Sequence, residues 1–363
     1  MSKRSNRYIL ATLGTAALLT TMVSAAAEPS STTAEPSSTT AEPSSTTEAS
    51  SSTTEEPISV TVEQCTDCHD DTVYLSSKRY GWLHSGHGEG DVWAERGSSA
   101  GCAGCHSGSG FSEAVSLGHL NPDQYAEYLD TNDMSPPPTT PQDCRACHQV
   151  HVTYTAADFA LETADAVPLY AVNPQQTGEA YEFDKGLGNL CANCHQPRRD
   201  FPAADSSGMI TGISTHWGPH HGPQSAMLLG LAGSIPAGAS GHYKVTQDGC
   251  VDCHMGPSSS HTMEVDYSVC ETCHFDNFDP QTPMSKIEER LDILGAELEK
   301  LGLIDENSPD GHPAVTSAPF AQAGALWNWL YLAHEDKSRG AHNPYYADLL
   351  LNTSCAALGI TCQ

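Results

Sequence analysis

The stretch CVDCHMGPSSSHTMEVDYSVCETCH, residues 250–274, holds two Cys-x-x-Cys-His units with one further histidine, His261, between them. Cysteines three positions apart lie on one side of a helical turn, and the next residue places an imidazole beside them. Thiols and imidazoles so arranged can bind a metal, exchange disulfides or attach a prosthetic group. The rest of the chain decides among these chemistries, because it repeats the unit.

Twelve of the 14 cysteines fall into six such units, numbered here 1 to 6 in chain order. C-x-x-C-H is the signature of covalent c-type haem attachment: the thiols bind the haem edge and the imidazole binds the iron. Zinc sites, redox dithiols and structural disulfides also use paired cysteines, but none requires a histidine after every second cysteine. The sequence therefore predicts six covalently bound haems c. The units are Cys65-Cys68-His69, Cys102-Cys105-His106, Cys144-Cys147-His148, Cys191-Cys194-His195, Cys250-Cys253-His254 and Cys270-Cys273-His274.

A six-coordinate haem iron needs a second axial ligand, and the chain holds 18 histidines, twelve more than the six units use. Such a surplus in a chain with 16 lysines and arginines indicates ligation. His312 and His334 are predicted to lie at the surface. The predicted distal ligands are His87, His151, His242, His261, His342 and one of His220 and His221, with His221 favoured and His119 in reserve.

Two of these histidines carry a prediction about neighbouring sites. His151 follows His148 by three residues and cannot reach the far face of the same iron, so we expect it to ligate an adjacent haem. His261 lies midway between units 5 and 6 and is expected to reach the iron of a neighbouring unit.

The N-terminal 57 residues are predicted to lie outside the fold. Lys3, Arg4 and Arg7 precede an apolar run and the sequence Ala25-Ala26-Ala27, the pattern of a cleaved signal peptide over residues 1–27. An uncleaved anchor is the alternative, and either one takes the chain out of the cytoplasm. Residues 28–57 repeat AEPSSTT without apolar side chains and are predicted to form a disordered stalk, glycosylated or a plain spacer.

Residues 58–284 form the predicted haem-binding domain, rich in glycine, proline, serine and aspartate. Few apolar runs are periodic here, so we expect the haem faces to form the core. The expected fold is mostly irregular and α-helical, with short helices and little sheet. The chain as a whole is acidic, with 45 aspartates and glutamates against 16 lysines and arginines, which argues against nucleic acid as a partner.

Residues 285–363 form a predicted helical region that packs on the haem domain. SKIEERLDILGAELEKLGL has leucines at helical spacing, a capping box of Ser285 and Glu288, and Gly302 as its end. FAQAGALWNWLYLAH and PYYADLLLNTSCAAL predict two further helices. Cys355 and Cys362 lie outside the six units and form either a disulfide, favoured in an oxidising compartment, or two free thiols.

The region from Cys65 to about Leu358 resembles the large multihaem cytochrome c group. WNWLYLAHEDKSRGAHNPYYADLLL resembles the C-terminal helical segment of pentahaem nitrite reductases and their octahaem relatives, in which the histidine matching His342 is a distal haem ligand. HWGPHHGPQSAML and the stalked, exported design are similar to extracellular electron-transfer cytochromes, including filament-forming ones. The nitrite reductases bind substrate at a Cys-x-x-Cys-Lys unit, which this sequence lacks.

These features predict an electron carrier rather than an enzyme, with no catalytic residues and six bis-histidine haems. It is expected at the cell surface or outside the cell, with the periplasm as the alternative. Expected partners are redox proteins, external electron acceptors or further copies of the chain in a head-to-tail filament, with His87 and His119 as donors across the contact. The alternative function is a multihaem reductase of nitrite, hydroxylamine or a sulfur oxyanion.

Overall fold

The computed structural model describes residues 69, 73–118, 121–172, 181–220, 222–275, 277–305, 307 and 311–363. The predicted signal peptide (residues 1–27) and stalk (28–57) fall outside these ranges, as do Cys65, Cys68, His119 and His221. The predictions made for them therefore remain predictions. In the part of the chain that the structure describes, no helix is long and apolar enough to cross a membrane.

Short helices and two small antiparallel sheets make up the described fold, which confirms the predicted fold class. Strands β1 (Val167–Leu169) and β2 (Tyr181–Phe183) form one pair, and β3 (Met209–Thr211) and β4 (Ser317–Pro319) form the other. The α-helices are α1 (Val73–Leu83), α2 (Gly86–Glu89), α3 (Val92–Arg96), α4 (Ala100–His106), α5 (Gly108–Leu117), α6 (Pro122–Thr131), α7 (Cys144–Cys147), α8 (Asn189–Ala192), α9 (Gln224–Leu229), α10 (Gly241–Val245), α11 (Cys250–His254), α12 (Gln281–Lys300), α13 (Phe320–Leu330) and α14 (Pro344–Ala357).

Three 3₁₀ turns and one π-helical segment complete these elements. The 3₁₀ turns are Ala156–Phe159, Gly186–Gly188 and Tyr267–Thr272, and the π-helical segment is Tyr331–Asp336. The π-helical segment directly continues α13, where the sequence predicted one regular helix. Single π turns of this kind occur mainly at functional sites.

Helix α12 begins earlier than the predicted capping box, so that prediction is wrong. Ser285 lies inside the helix, while the Asp279 carboxylate accepts from the Gln281 amide (3.1 Å) and the Thr282 hydroxyl (2.8 Å) before the first turn. Gly302 ends the helix as predicted, with φ of 68°. Leucines at 291, 294 and 298 are buried, whereas Leu301 is exposed.

The main apolar cluster joins the C-terminal helices to residues of the predicted haem domain, which corrects the expectation that haem faces alone form the core. Trp327 of α13 contacts Trp217 and Phe201, with ring centroids 5.0 and 5.5 Å away. Leu350 and Leu351 of α14 are fully buried in the same cluster. The segments between haem units therefore do contribute side chains to an ordinary hydrophobic core. A disulfide between Cys355 and Cys362 closes the end of α14, as predicted.

Replacing Trp327 by alanine is expected to destabilise the protein by about 3–5 kcal/mol, because the indole is 1% exposed and its loss leaves a cavity. The Trp327 Nε1–H also donates to the Ala232 carbonyl oxygen (2.8 Å), which would lose its partner. Tyr345→Ala is the matched control, since Tyr345 is 69% exposed, and should change stability by less than about 0.5 kcal/mol. Thermal unfolding of the two variants followed by circular dichroism checks this; equal midpoints would contradict it.

Candidate metal centres

Each described attachment unit lies on or beside a short helical turn. Units 2 and 5 end helices α4 and α11, unit 3 occupies α7, unit 4 begins on α8, and unit 6 lies on the 3₁₀ turn Tyr267–Thr272. Side-chain caps start two of these turns: Asp143 accepts from the Arg145 amide (2.9 Å) and Asp266 from the Ser268 amide (3.0 Å). A single turn aligns positions i, i+3 and i+4, so both thiols and the imidazole can face one ligand.

All six unit histidines face a second histidine at nearly one distance. The ring centroids are 6.0–6.3 Å apart in every pair. We call each unit with its facing histidine a site and give it the number of the unit. The pairs, in site order, are His69–His151, His106–His220, His148–His261, His195–His87, His254–His342 and His274–His242.

This common distance fits a metal ion between the rings. An ion about 2 Å from each nitrogen, with each ring centre about 1.1 Å behind that nitrogen, puts the ring centres about 6.2 Å apart. Ring packing alone would let the distance range over about 4.5–7 Å and would favour particular angles. The interplanar angles here run from 25° to 89°, so the distance is shared and the angle is not.

Six of these twelve histidines place Nδ1 within hydrogen-bonding distance of an acceptor oxygen. A donating Nδ1–H fixes the tautomer that leaves Nε2 free to ligate a metal, and it holds the ring in place. The acceptors are main-chain carbonyl oxygens for His148 (Phe159, 2.7 Å), His242 (Ala341, 2.7 Å), His254 (Met263, 2.8 Å) and His261 (Ser259, 3.0 Å), the Gln224 side-chain oxygen for His195 (3.0 Å) and the Asp336 carboxylate for His342 (2.7 Å).

The structure places His151 beside unit 1 and His261 beside a unit far from it in the sequence. His151 faces His69, so the turn after His148 connects sites 1 and 3. His261 faces His148 of unit 3, not either unit beside it in the sequence, and that expectation was wrong. Local spacing misled because the 250–274 segment folds against α1: the Lys78 ammonium donates to the Ser258 and Ser259 carbonyl oxygens (2.9 and 2.7 Å).

The structure also bears on the choice between His220 and His221 and on the expected role of His87. His220, the less favoured of its pair, faces His106, while His221 lies outside the described residues. His87, predicted as a donor across a contact between copies, faces His195 of its own chain. His242 and His342 both face unit histidines, and their assignment as distal ligands stays a prediction. His312 and His334 are half-buried rather than at the surface, and His334 packs on Trp329 with centroids 4.7 Å apart.

Contacts of the cysteines give the spatial order of the units. Unit 4 adjoins unit 2, because the Cys105 thiol donates to the Asn193 carbonyl oxygen (3.9 Å) and the Cys194 thiol to the Gly104 carbonyl oxygen (4.0 Å). Unit 5 lies on another side of unit 4, since the Cys250 thiol donates to the carbonyl oxygen of Gly188, just before unit 4 (3.9 Å). Cys147 of unit 3 lies within electrostatic range of Cys191. Unit 6 adjoins unit 5, because the Asp266 amide donates to the Cys253 carbonyl oxygen (2.9 Å). Unit 4 is therefore a junction with neighbours on three sides.

Burial keeps the junction site neutral. It lowers the pKa of His87 from 6.5 to about 4, with a smaller contribution from His195 beside it. Burial also lowers the pKa of His195, against the opposite effect of the hydrogen bond that His195 donates to the Gln224 side-chain oxygen. Neutral imidazoles are the ligating form, so neither ring at site 4 needs to lose a proton at neutral pH.

A buried carboxyl group lies behind site 2. Burial raises the pKa of Glu335 to about 8, and its carboxyl group accepts from the His220 amide. Gly218 has a φ of 121° and lies directly against this carboxyl group. A Cβ atom at position 218 would clash with the Glu335 carboxyl oxygen. The glycine of HWGPHH thus lets the main chain before His220 lie directly against Glu335.

Gln224, Glu335 and Asp336 support the paired histidines and were missed by sequence reasoning. Gln224 carries no signal, because its role depends on α9 packing beside unit 4. Asp336 carried a weak sequence signal, because it precedes the predicted ligand His342 by only six residues in HEDKSRGAH. Of the described residues, no group of three histidines, cysteines or carboxylates forms a separate metal site.

No protein-family model and no curated protein matches the chain. Two solved structures resemble it. The outer cell wall cytochrome OcwA is 22% identical with a TM-score of 0.44, covering 77% of this chain and 50% of its own. The undecahaem cytochrome from the S-layer of Carboxydothermus ferrireducens is 20% identical to this chain, with a TM-score of 0.41. The match covers 77% of this chain and 41% of that cytochrome. This chain thus spans half or less of either protein.

Proposed function

We propose that this chain is a hexahaem c-type cytochrome that transfers electrons outside the cytoplasm. The observation that carries the proposal is the set of six histidine pairs, each with one partner from a Cys-x-x-Cys-His unit and all at 6.0–6.3 Å. Six motif matches and six pairs are independent signals, since the first is local sequence and the second is tertiary structure.

The residues of each site fit a covalently attached haem. Two thiols on one turn would form the thioether bonds, the unit histidine would be the proximal ligand and the facing histidine the distal one. When bound, the haem supplies one-electron redox chemistry. Nδ1–H bonds hold six of the twelve imidazoles in the ligating tautomer, and each site would offer its haem two imidazoles.

Closure of both axial positions distinguishes the carrier from the alternative function. A reductase of nitrite, hydroxylamine or a sulfur oxyanion needs an axial position open to substrate, and every unit histidine here faces a second imidazole. The sequence also lacks a Cys-x-x-Cys-Lys unit. We therefore keep the reductase as the second candidate and favour the carrier.

The order of the units suits transfer between several points on the surface. Sites 1, 3, 4, 5 and 6 follow one another, and site 2 adjoins site 4, so three arms meet at the His87–His195 pair. Redox proteins or external acceptors would dock at the ends of the arms. We propose a location at the cell surface or beyond it, as the predicted signal peptide and stalk imply.

A filament of head-to-tail copies remains a further proposal. It needs no histidine donated between copies, because all six pairs are formed within one chain. The acidic surface opposes self-association unless salt screens it, since the formal net charge is -29.

Near-infrared magnetic circular dichroism of the purified protein tests the proposed function, because it counts haem irons by axial ligand type. We expect six low-spin bis-histidine haems and negligible turnover of nitrite or hydroxylamine. A five-coordinate fraction of about one sixth together with rapid reduction of either substrate would favour the reductase instead.

A further inference from the structure

The acceptor at Asp336 is a carboxylate, unlike the acceptors of the five other paired histidines whose Nδ1–H bonds are described above. The Nδ1–H groups of His148, His242, His254 and His261 donate to neutral main-chain carbonyl oxygens, and that of His195 donates to a neutral amide oxygen. The Nδ1–H of His342 instead donates to the Oδ1 atom of Asp336 at 2.7 Å. Site 5 therefore has a distal imidazole bonded to a carboxylate.

The Asp336 carboxylate is held in one orientation. Its side chain is fully buried, and its second oxygen, Oδ2, accepts from both the amide (3.2 Å) and the hydroxyl of Ser338. The His342 amide in turn approaches the Ser338 hydroxyl oxygen at 3.3 Å, so residues 336, 338 and 342 form a closed set of bonds. This carboxylate is fixed against the ring and not a surface charge that happens to be near.

The main chain at Asp336 is fixed as well. The π-helical segment Tyr331–Asp336 ends where Lys337 takes a left-handed conformation, with φ of 57°. The Gln224 side-chain amide donates to the main-chain oxygens of Glu335 and Asp336 at 3.1 and 3.3 Å. The same side chain accepts from His195 through its oxygen. One turn of backbone thus supports the ligands of sites 4 and 5.

From this geometry we propose that Asp336 is a positioning residue that lowers the reduction potential of site 5 by polarising its distal ligand His342. A carboxylate on the Nδ1–H makes the imidazole more basic and increases its donation to the metal. Greater donation stabilises the oxidised iron, which carries the extra positive charge, and second-shell hydrogen bonding is one of the means by which proteins tune haem. This inference rests on the proposed function.

Asp336→Asn tests the proposal, because the amide keeps the shape and can still accept from His342 and donate to Ser338 while removing the charge. In a spectroelectrochemical titration of the intact holoprotein, we expect one of the six redox components to move to higher potential and the other five to stay. The electron paramagnetic resonance g-values of one low-spin haem should shift in the same variant. Unchanged components, or an equal shift of all six, would overturn the proposal.

Gln224→Glu is the reciprocal variant, since it places a carboxylate on the Nδ1–H of His195. We expect the component of site 4 to move to lower potential; the variant also removes the amide that donates to the Glu335 and Asp336 carbonyl oxygens, so the component of site 5 is not a control in it. If the Asn variant raises no component and the Glu variant lowers none, a carboxylate acceptor does not tune these sites. Mass spectrometry of the denatured proteins is measured first: fewer than six haems in the wild type would reject the proposed function, whereas six haems with no shift would reject this inference alone.

Discussion

Replacing His87 by alanine is expected to open one haem iron in six. His87 faces His195 at 6.0 Å, and no other imidazole of the described residues is paired with His195. The ferric protein should gain a high-spin signal from about one sixth of its haem, and the reduced variant should bind about one equivalent of carbon monoxide, where the wild type binds almost none. Optical titration with carbon monoxide measures the change.

His84→Ala is the matched control for this variant. His84 lies on the same short stretch, is exposed, and packs on Tyr80 at 4.1 Å rather than on a unit histidine. Its loss should leave the spectra unchanged. If the His87 variant stays fully low-spin and refuses carbon monoxide, the assignment of His87 as a ligand is wrong.

Removing the two attachment thiols should prevent folding at unit 4, the junction, but not at unit 6, which lies at the end of one arm. Cys191→Ala with Cys194→Ala removes the haem proposed for unit 4, which adjoins units 2, 3 and 5. We expect this variant to yield no folded holoprotein, because three neighbouring sites lose the surface they pack against. Cys270→Ala with Cys273→Ala, at the other extreme, should yield a folded protein with five haems.

Covalent haem survives denaturation, so the mass of each denatured variant reports its haem number, and gel filtration reports folding. The two double variants control for one another, since each removes two thiols and one haem. Equal yields of folded five-haem protein from both would contradict the branched order of the units.

Much of the C-terminal region could be predicted from sequence because helical periodicity is a local property. Leu291, Leu294 and Leu298 are buried on one face of α12 as their spacing required, and Gly302 ends the helix because the next turn needs a left-handed residue. The capping box at Ser285 failed since Asp279 already caps an earlier turn. The hydrophobic core escaped prediction because Phe201 and Trp217 lie in loop-rich sequence and meet Trp327 only after folding.

The sequence by itself determined where the proposed haems would attach and how many sites there would be, because two thiols and an imidazole at positions i, i+3 and i+4 define one reactive turn without help from the rest of the chain. It also supplied more than enough histidines to pair with every unit histidine. Only the tertiary structure decided which histidine faces which unit histidine: His261 faces His148, and His87 faces His195. The physical reason is that a distal ligand approaches from the opposite face of the haem, which the attachment turn cannot reach, so long-range packing must deliver it.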